Sequence, residues 1–494
     1  MITSVISMGI QFVQSLWVTA YIQREMGIES YGYIAVIVNF VNMAGIVTVA
    51  LTSVCSRYIV IELEDNDTTR INHIFNTVYF SILFIAAGCL LLFLIMAVHI
   101  TSFIHISDEF VGQVSALMII VGADFIIQLL QVPFLSVLYY EEKIYYNYYA
   151  AIITNIAKIA FVVALFYIWK PVLWGAYFAS AFVNSFVLWI YNRYLKMHYP
   201  MIRKNAHFFM LEKLKDILGM GVWVSLSKLA AVLLSSCGTY LVNLLIGAYM
   251  AGIYGSVTQI QSILSFVTIA VVNVFLPQMY KMYAADDRKR LLCYTADGLK
   301  LLSAVLGIVV GGLIAFGDVF MSLWISDEYL NYKTLLIVSV YYLAAAYSSE
   351  LLNQLLITIG RTKIPAVISI FAGIANIVLA VVLVTMCHTD IYGIAIAQMT
   401  VLCIRSVVFV PAYAAYCLKC RWNIFLSGNL FCVKSILITV AAGYFIDQIF
   451  VINTWKNLIF ACFITGVSAV GILLLMDQDI RRFIFDDFLK KYKG

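Results

Sequence analysis

From Thr3 to Met476 the chain is an almost unbroken succession of apolar runs, each close to the length a bilayer demands. A hydrocarbon core of ~30 Å takes ~20 residues of helix at 1.5 Å each. A backbone crossing it must satisfy its own N–H and C=O groups, which helices do segment by segment. Fourteen runs are read, at roughly 3–22, 31–56, 74–98, 113–139, 145–168, 172–191, 219–246, 251–276, 298–323, 332–358, 364–386, 392–416, 429–450 and 456–476. The longest connector, Asn192 to Leu218, is about 27 residues. With 63% apolar and 12% charged residues, no soluble domain fits. The fold class expected is therefore all-α and polytopic in a membrane. No charged leader precedes the first run, so it reads as a spanning helix rather than a cleavable signal.

Lysine and arginine orient the chain. With the N-terminus inside, inner loops and tail hold 22 of the 31 and outer loops hold four, namely Arg24, Lys170, Lys333 and Lys456. Both termini are thus expected in the cytoplasm, and the net charge of +5 reflects topology rather than affinity for nucleic acid. A plasma (bacterial inner) membrane location is expected.

The chain also repeats itself. Gly27, Gly32, Asn39, Asn42 and Val47-Thr48 recur 220 residues later as Gly247, Gly252, Gln259, Ser262 and Val267-Thr268, and Lys143-Ile144 recurs as Lys363-Ile364. Each half has an even number of spans, so the halves run in the same direction and form parallel repeats, an arrangement typical of transporters. The expected organisation is a six-helix bundle over 1–191 and a cytoplasmic linker over 192–218. A second six-helix bundle covers 219–416, two further spans cover 417–476, and a cytoplasmic tail covers 477–494. Phe208 to Leu211, then Leu214, Ile217 and Leu218, set among lysines, predict an interfacial helix in the linker. Met1 aligns with Gly221, so the first half lacks the lead-in of the second and the natural start is expected upstream.

Enzyme signals are sparse. No GxxxxGK[ST] is present to cradle a nucleotide phosphate. Asp65-Asn66-Asp67 spells a DxD, better read as a solvated acidic loop, and the outer connectors are too short for a catalytic domain. Of ten cysteines, most lie inside apolar runs, where thiols behave as small hydrophobes. Cys417 and Cys420 form a CxxC without a second pair, so no metal and no cofactor are expected. Gly307 and Gly311 make a GxxxG read as close helix packing, and prolines inside spans, Pro133 and Pro411 among them, kink a helix and free a carbonyl.

The informative residues are ionisable groups inside spans, each costing ~2.5–3.5 kcal/mol at mid-helix and therefore facing a partner or a cavity. Lys158, Lys228 and Arg405 are such cations, and Asp124 and Glu350 such carboxylates. Gln11 and Gln14 share a polar face of the first span, and Asn39 and Asn42 in the second match Gln259 and Ser262 in the eighth. These residues predict a central cavity lined by spans one, two, seven and eight, against the alternative of hydrogen bonds within a packed bundle. Cations and amides in a cavity suit phosphate or carboxylate together with hydroxyl-rich sugar. Asp124 and Glu350 either pair internally with Lys158 or Arg405, or couple transport to a proton or sodium gradient.

At Gly27, Tyr31 and Gly32, at Ser56-Arg57-Tyr58, and at Ala251 to Tyr254, the chain resembles bacterial polysaccharide-biosynthesis flippases. These are the O-antigen and capsule repeat-unit translocases of the multidrug/oligosaccharidyl-lipid/polysaccharide exporter superfamily. The resemblance implies a V-shaped pair of six-helix bundles and passage of an undecaprenyl-diphosphate-linked oligosaccharide from the cytoplasmic to the outer leaflet by alternating access. It implies that lipid substrate and membrane lipids as partners, with the polymerase and glycosyltransferases of the same pathway as further ones. The alternatives are a cation-coupled multidrug exporter of the same superfamily, and a membrane glycosyltransferase or polymerase. The superfamily's peptidoglycan-precursor flippase has a more arginine-rich cavity at its first helices, where this chain has only Arg24 beside Glu25.

Overall fold

A computed structural model describes residues 2–64, 68–141, 143, 145–168, 171–210, 226, 229–234, 236–421 and 423–476. Lys228, the DxD at Asp65 to Asp67, linker residues 211–218 and the tail 477–494 lie outside that set. The described residues are helical with short connections and no strand, as a chain that must close its backbone hydrogen bonds inside lipid requires. Among the described residues, ten helical segments are long and apolar enough to cross a membrane. The chain is an all-α, multi-pass membrane protein.

The first compact unit, Met1–Gly255, begins with α1 (Ile2–Met26), α2 (Ile28–Glu64), α3 (Thr68–Val98), α4 (Val111–Tyr140), α5 (Tyr145–Ile168) and α6 (Gly175–His198). It then takes in α7 (Cys237–Leu245) and the start of α8 (Ala248–Ala284). Helices α3, α4 and α6 enclose a core of Ile74, Phe75, Val78, Phe134, Leu138 and Tyr191. The second unit, Ser256–Gly494, holds the rest of α8 and then α9 (Arg288–Trp324). The tenth apolar run is broken into α10 (Lys333–Val340), α11 (Leu343–Ser348) and α12 (Glu350–Thr358). Next come α13 (Lys363–Thr385) and α14 (Asp390–Cys403), then a π-helical turn at Ile404–Phe409 that leads into α15 (Val410–Leu418). Helices α16 (Asn423–Ile449) and α17 (Trp455–Met476) complete the unit.

The repeat is visible in the helix starts. Ile28 and Ala248, which open α2 and α8, are offset by the same 220 positions. The glycines that announced the repeat have matching jobs. Gly27 and Gly247 sit at φ +86 and +139 in the breaks before α2 and α8, a conformation that L side chains avoid. One turn on, within the first unit, α2 crosses the start of α8 at backbone contact. A Cβ on Gly32 would stand 2.1 Å from the Ala248 carbonyl oxygen, and one on Gly252 2.2 Å from that of Ile28. Residue 28 corresponds to 248 and 32 to 252, so the contact is reciprocal, as a two-fold relation demands.

The GxxxG read from the sequence as close helix packing meets α16. Gly307 and Gly311 of α9 face Ser435 and Thr439 of α16, where an added Cβ would lie 2.6 Å from each neighbouring Cβ. The GxxxG is thus a helix-packing groove. Asp318, near the end of α9, binds Lys333 Nζ at 2.6 Å.

Most of the expected interfacial helix, Leu211 to Leu218, lies outside the described residues, which show the linker only as far as Met210. Phe208 ends a single 3-10 turn (Ala206–Phe208), while Phe209 is extended. From Tyr199 to Met210 the segment runs along the first turns of α3, whose side chains serve its backbone. Asn72 donates to the Met201 carbonyl at 2.8 Å and accepts from Arg203 N–H at 2.7 Å. Asn76, fully buried, donates to the Arg203 carbonyl at 2.7 Å and accepts from Asn205 N–H at 2.9 Å. Thr77 Oγ accepts from Met210 N–H at 3.0 Å. Amides one helical turn apart thus stand in for a neighbouring strand, satisfying a backbone that would otherwise be buried without partners. Ile202 enters the core of the first unit.

Candidate binding sites inside the two units

In the first unit the ionisable residues gather between α4, α5 and α6. Asp124 is 5% exposed, and both of its oxygens are occupied by neutral donors. Ser180 Oγ donates to Oδ2 and Asn184 Nδ2 to Oδ1, each at 2.7 Å. Ser180 and Asn184 are one turn apart on α6, so one helix face supplies both. Gln131 of α4 fixes that turn by donating to the Asn184 carbonyl at 2.9 Å. Lys158 of α5 feels the Asp124 charge without forming an ion pair with it. Its ammonium lies 5.4 Å from the centre of the Tyr177 ring, and among the described residues it has no hydrogen-bond acceptor.

The second unit repeats this chemistry with different residues. Glu350 opens α12, and its oxygens accept from Asn353 Nδ2 at 2.9 Å and Gln354 Nε2 at 3.1 Å, both on its own helix. Its charge reaches Arg405, again with no direct ion pair. Arg405 instead donates through Nε to Ser369 Oγ of α13 at 2.8 Å and, at the long limit of 3.5 Å, through Nη1 to Ser406 Oγ.

Arg405 stands in the π-helical turn, and Pro411 accounts for that turn. The Val410 N–H reaches back five residues to the Arg405 carbonyl, and Pro411 has no N–H to continue the ladder. Two carbonyls of the turn receive side-chain donors. Ser349 Oγ serves the Ser406 carbonyl at 2.6 Å, and Asn429 Nδ2 serves that of Val407 at 3.4 Å. The proline was legible in the sequence, but the donors that compensate for it sit on separate elements far along the chain.

The amides predicted to line a cavity are distributed unevenly. On α1, Gln14 is buried and Gln11 exposed. On α2, Asn39 is half-buried and Asn42 exposed, and on α8 their counterparts Gln259 and Ser262 show the same half-buried and exposed pattern. The equivalent faces of α2 and α8 are thus accessible to the same degree. The sequence reading missed Ser180, Asn184, Asn353 and Gln354, which hold the carboxylates. A four-residue step from Ser180 to Asn184 was the available signal.

An apolar cavity of about 300 Å³ lies between α9, α16 and α17, lined by Leu313, Phe316, Phe320, Leu458 and Cys462 among others.

A family model described as "Polysaccharide biosynthesis protein" matches residues 1–283. The uncharacterized membrane protein EpsK of Bacillus subtilis (strain 168) is 22% identical over 495 residues, covering 97% of this chain and 95% of that protein. Among solved structures, the lipid II flippase MurJ in an inward closed conformation superposes with a TM-score of 0.74 at 15% identity, covering 96% of this chain and 99% of MurJ. An inward-facing multidrug resistance MATE family transporter of the MOP superfamily gives a TM-score of 0.69 at 14% identity, covering 83% and 94%. At such identities the structures establish a shared fold, and the family model establishes the lineage. The chain belongs to the polysaccharide biosynthesis protein family and has the fold of the MurJ and MATE membrane proteins.

Proposed function

We propose that this protein is a flippase carrying an undecaprenyl-diphosphate-linked oligosaccharide, of the O-antigen, capsule or exopolysaccharide kind, from the cytoplasmic to the outer leaflet by alternating access. The observation that carries the reading is the state of the in-span charges. Each oxygen of Asp124 and of Glu350 accepts from one neutral hydroxyl or amide donor. Lys158 and Arg405 have no ion pair among the described residues. Cations held in an apolar setting without a direct counter-ion suit a substrate that brings phosphate. Gln11, Asn39, Asn42 and Gln259, accessible on their helices, are assigned to hydroxyl-bearing sugar, with Gln14 beside them. Lys228 is assigned to the same cationic set. The repeats over 1–191 and 219–416 are the two bundles that alternate, joined by the linker 192–218, and both termini are assigned to the cytoplasm.

A cation-coupled drug exporter shares the fold, but it is better served by a cavity of carboxylates and aromatics than by unpaired cations. Asp124, with its Ser180 and Asn184 donors, is assigned to coupling by protonation or sodium binding. The test is glycan display in a flippase-deletion host that carries this protein and its matching glycan-synthesis genes. Surface polymer is expected with the parent chain, and its loss with Lys228→Ala and Lys158→Ala at equal membrane abundance. Absence of polymer, despite correct insertion and a confirmed lipid-linked substrate, would shift the assignment to the drug exporter.

A further inference from the structure

We propose that the π-helical turn of the second unit is a phosphate-binding site, in which Arg405 is the anion-binding group, Ser369 its positioning residue and Glu350 a nearby like charge that weakens the ligand's binding by repulsion. The inference deepens the flippase reading and rests on it for the biological source of the phosphate, though not for the site itself.

Three observations converge on this turn. The first is its construction. A π turn is rare and poorly bonded, and such turns concentrate where a side chain must be re-aimed. Here the fold supports it from two directions, with Ser349 on the Ser406 carbonyl and Asn429 on the Val407 carbonyl. The second is the guanidinium itself. Among the described residues, two of its five N–H donors are used, both by neutral hydroxyls, and one of those bonds is at 3.5 Å. Three donors of a permanently charged planar group have no partner among the described residues. That is a fork suited to two oxygens of one phosphate.

The third observation concerns Glu350. Glu350 follows Ser349, whose Oγ donates to the Ser406 carbonyl at 2.6 Å. The start of α12 thus abuts the turn that carries Arg405, and a carboxylate there would ordinarily close a buried ion pair. Its oxygens are instead turned to Asn353 and Gln354 at 2.9 and 3.1 Å. Glu350 therefore balances the charge from a distance and leaves the fork open. A phosphate entering the site takes over Arg405 and relinquishes nothing to Glu350 beyond electrostatic repulsion. Removing the Glu350 charge should accordingly tighten anion binding, whereas removing a structural ion-pair partner would only damage the fold.

Phosphate can arrive on a polyprenyl diphosphate or on an anionic phospholipid headgroup, and the experiment separates the two. The full-length protein in nanodiscs of neutral phosphatidylcholine is titrated with undecaprenyl diphosphate, with phosphatidylglycerol and with undecaprenol as the uncharged control, and binding is read by native mass spectrometry. Arg405→Gln is expected to weaken undecaprenyl diphosphate about tenfold or more, since hydrogen bonds to charged groups are the stronger kind, and to leave undecaprenol unchanged. Ser369→Ala, which spares the charge and frees its orientation, should weaken the diphosphate lipid by a smaller factor. Glu350→Gln should tighten it several-fold.

A loss confined to the diphosphate lipid identifies the carrier as the source, and an equal loss for phosphatidylglycerol identifies a bilayer lipid at the same phosphate site. Unchanged diphosphate affinity in a folded Arg405→Gln protein overturns the proposal. If that variant does not fold, unchanged affinity in Ser369→Ala together with no tightening in Glu350→Gln overturns it equally. Glycan display is scored in parallel. Arg405-dependent binding without display would remove the flippase reading and keep the site, and display with Arg405-independent binding would do the reverse.

Discussion

Gly32 and Gly252 show how far a single hydrogen atom can matter. Alanine at either position puts a methyl group about two-thirds of a normal contact distance from a backbone carbonyl, at 2.1 and 2.2 Å, and a backbone oxygen cannot swing aside as a side chain can. Each substitution should destabilise the protein by ~1–3 kcal/mol, the range for overpacking, seen as a lower thermal midpoint in detergent. Gly9→Ala meets nothing within 4 Å and replaces a helix-interior glycine, so it should be neutral or stabilising by ~0.5–1 kcal/mol. Equal behaviour of the three variants would contradict the reciprocal contact. These glycines were legible in the sequence because a φ above zero and a backbone crossing both leave only one residue type. The partners of Asp124 were not, since serine and asparagine are common in spans and either can bond to its own helix. Lys204 was equally hidden. It lies in the linker at 4.7 and 4.5 Å from the Tyr79 and Phe134 ring centres, with Asn192 Oδ1 at 2.6 Å. Burial first, and the neighbouring Lys196 charge second, push its ammonium down from 10.5 to about 8.

At the scale of elements, that lysine makes the docked linker pH-sensitive. The undocked form holds its proton up to 10.5 and the docked form only to about 8, so between those values the undocked linker binds more protons. Docking should therefore strengthen as pH rises through that window and be flat below it. Limited proteolysis within 199–210, compared with Lys204→Met at each pH, checks the sign. Rising cleavage of the parent relative to the variant would refute it. Asn76→Ala should expose the linker at every pH, because it strands the Arg203 carbonyl and Asn205 N–H, at ~1–3 kcal/mol for each buried group left unsatisfied. The docking of 199–210 was not legible in the sequence, because an extended segment made tolerable by amides of a distant helix leaves no periodic trace in its own residues. The π turn teaches the complementary lesson: Pro411 announced a freed carbonyl, and only the fold shows Ser349 arriving to meet it. Pro411→Ala restores the missing N–H and lets the α-helical ladder resume. The variant should fold at least as stably as the parent and bind undecaprenyl diphosphate as weakly as Arg405→Gln. Parent-like binding would dissociate the turn from the site.

At the scale of the whole molecule, duplication explains most of what could be read in advance. Spans announce themselves by length, and a repeat announces itself by a constant offset. Helices α2 and α8 open at that offset, at Ile28 and Ala248. Charge placement diverges between the halves, with a lysine on α5 in one and an arginine in the π turn of the other. Selection on the fold preserved the glycines, and the chemistry of each unit was free to differ. Both units nonetheless arrive at one arrangement: a carboxylate answered by hydroxyls or amides, and a cation left for something else to neutralise. The most direct trial of that account uses proteoliposomes containing the purified protein and a fluorescent undecaprenyl-diphosphate oligosaccharide, with outer-leaflet label quenched over time and a fluorescent organic cation assayed beside it. Translocation of the glycolipid, lost on replacing Lys158 and Arg405 together with glutamine, is the predicted result. Transport of the organic cation, with the glycolipid left in its original leaflet, would contradict it.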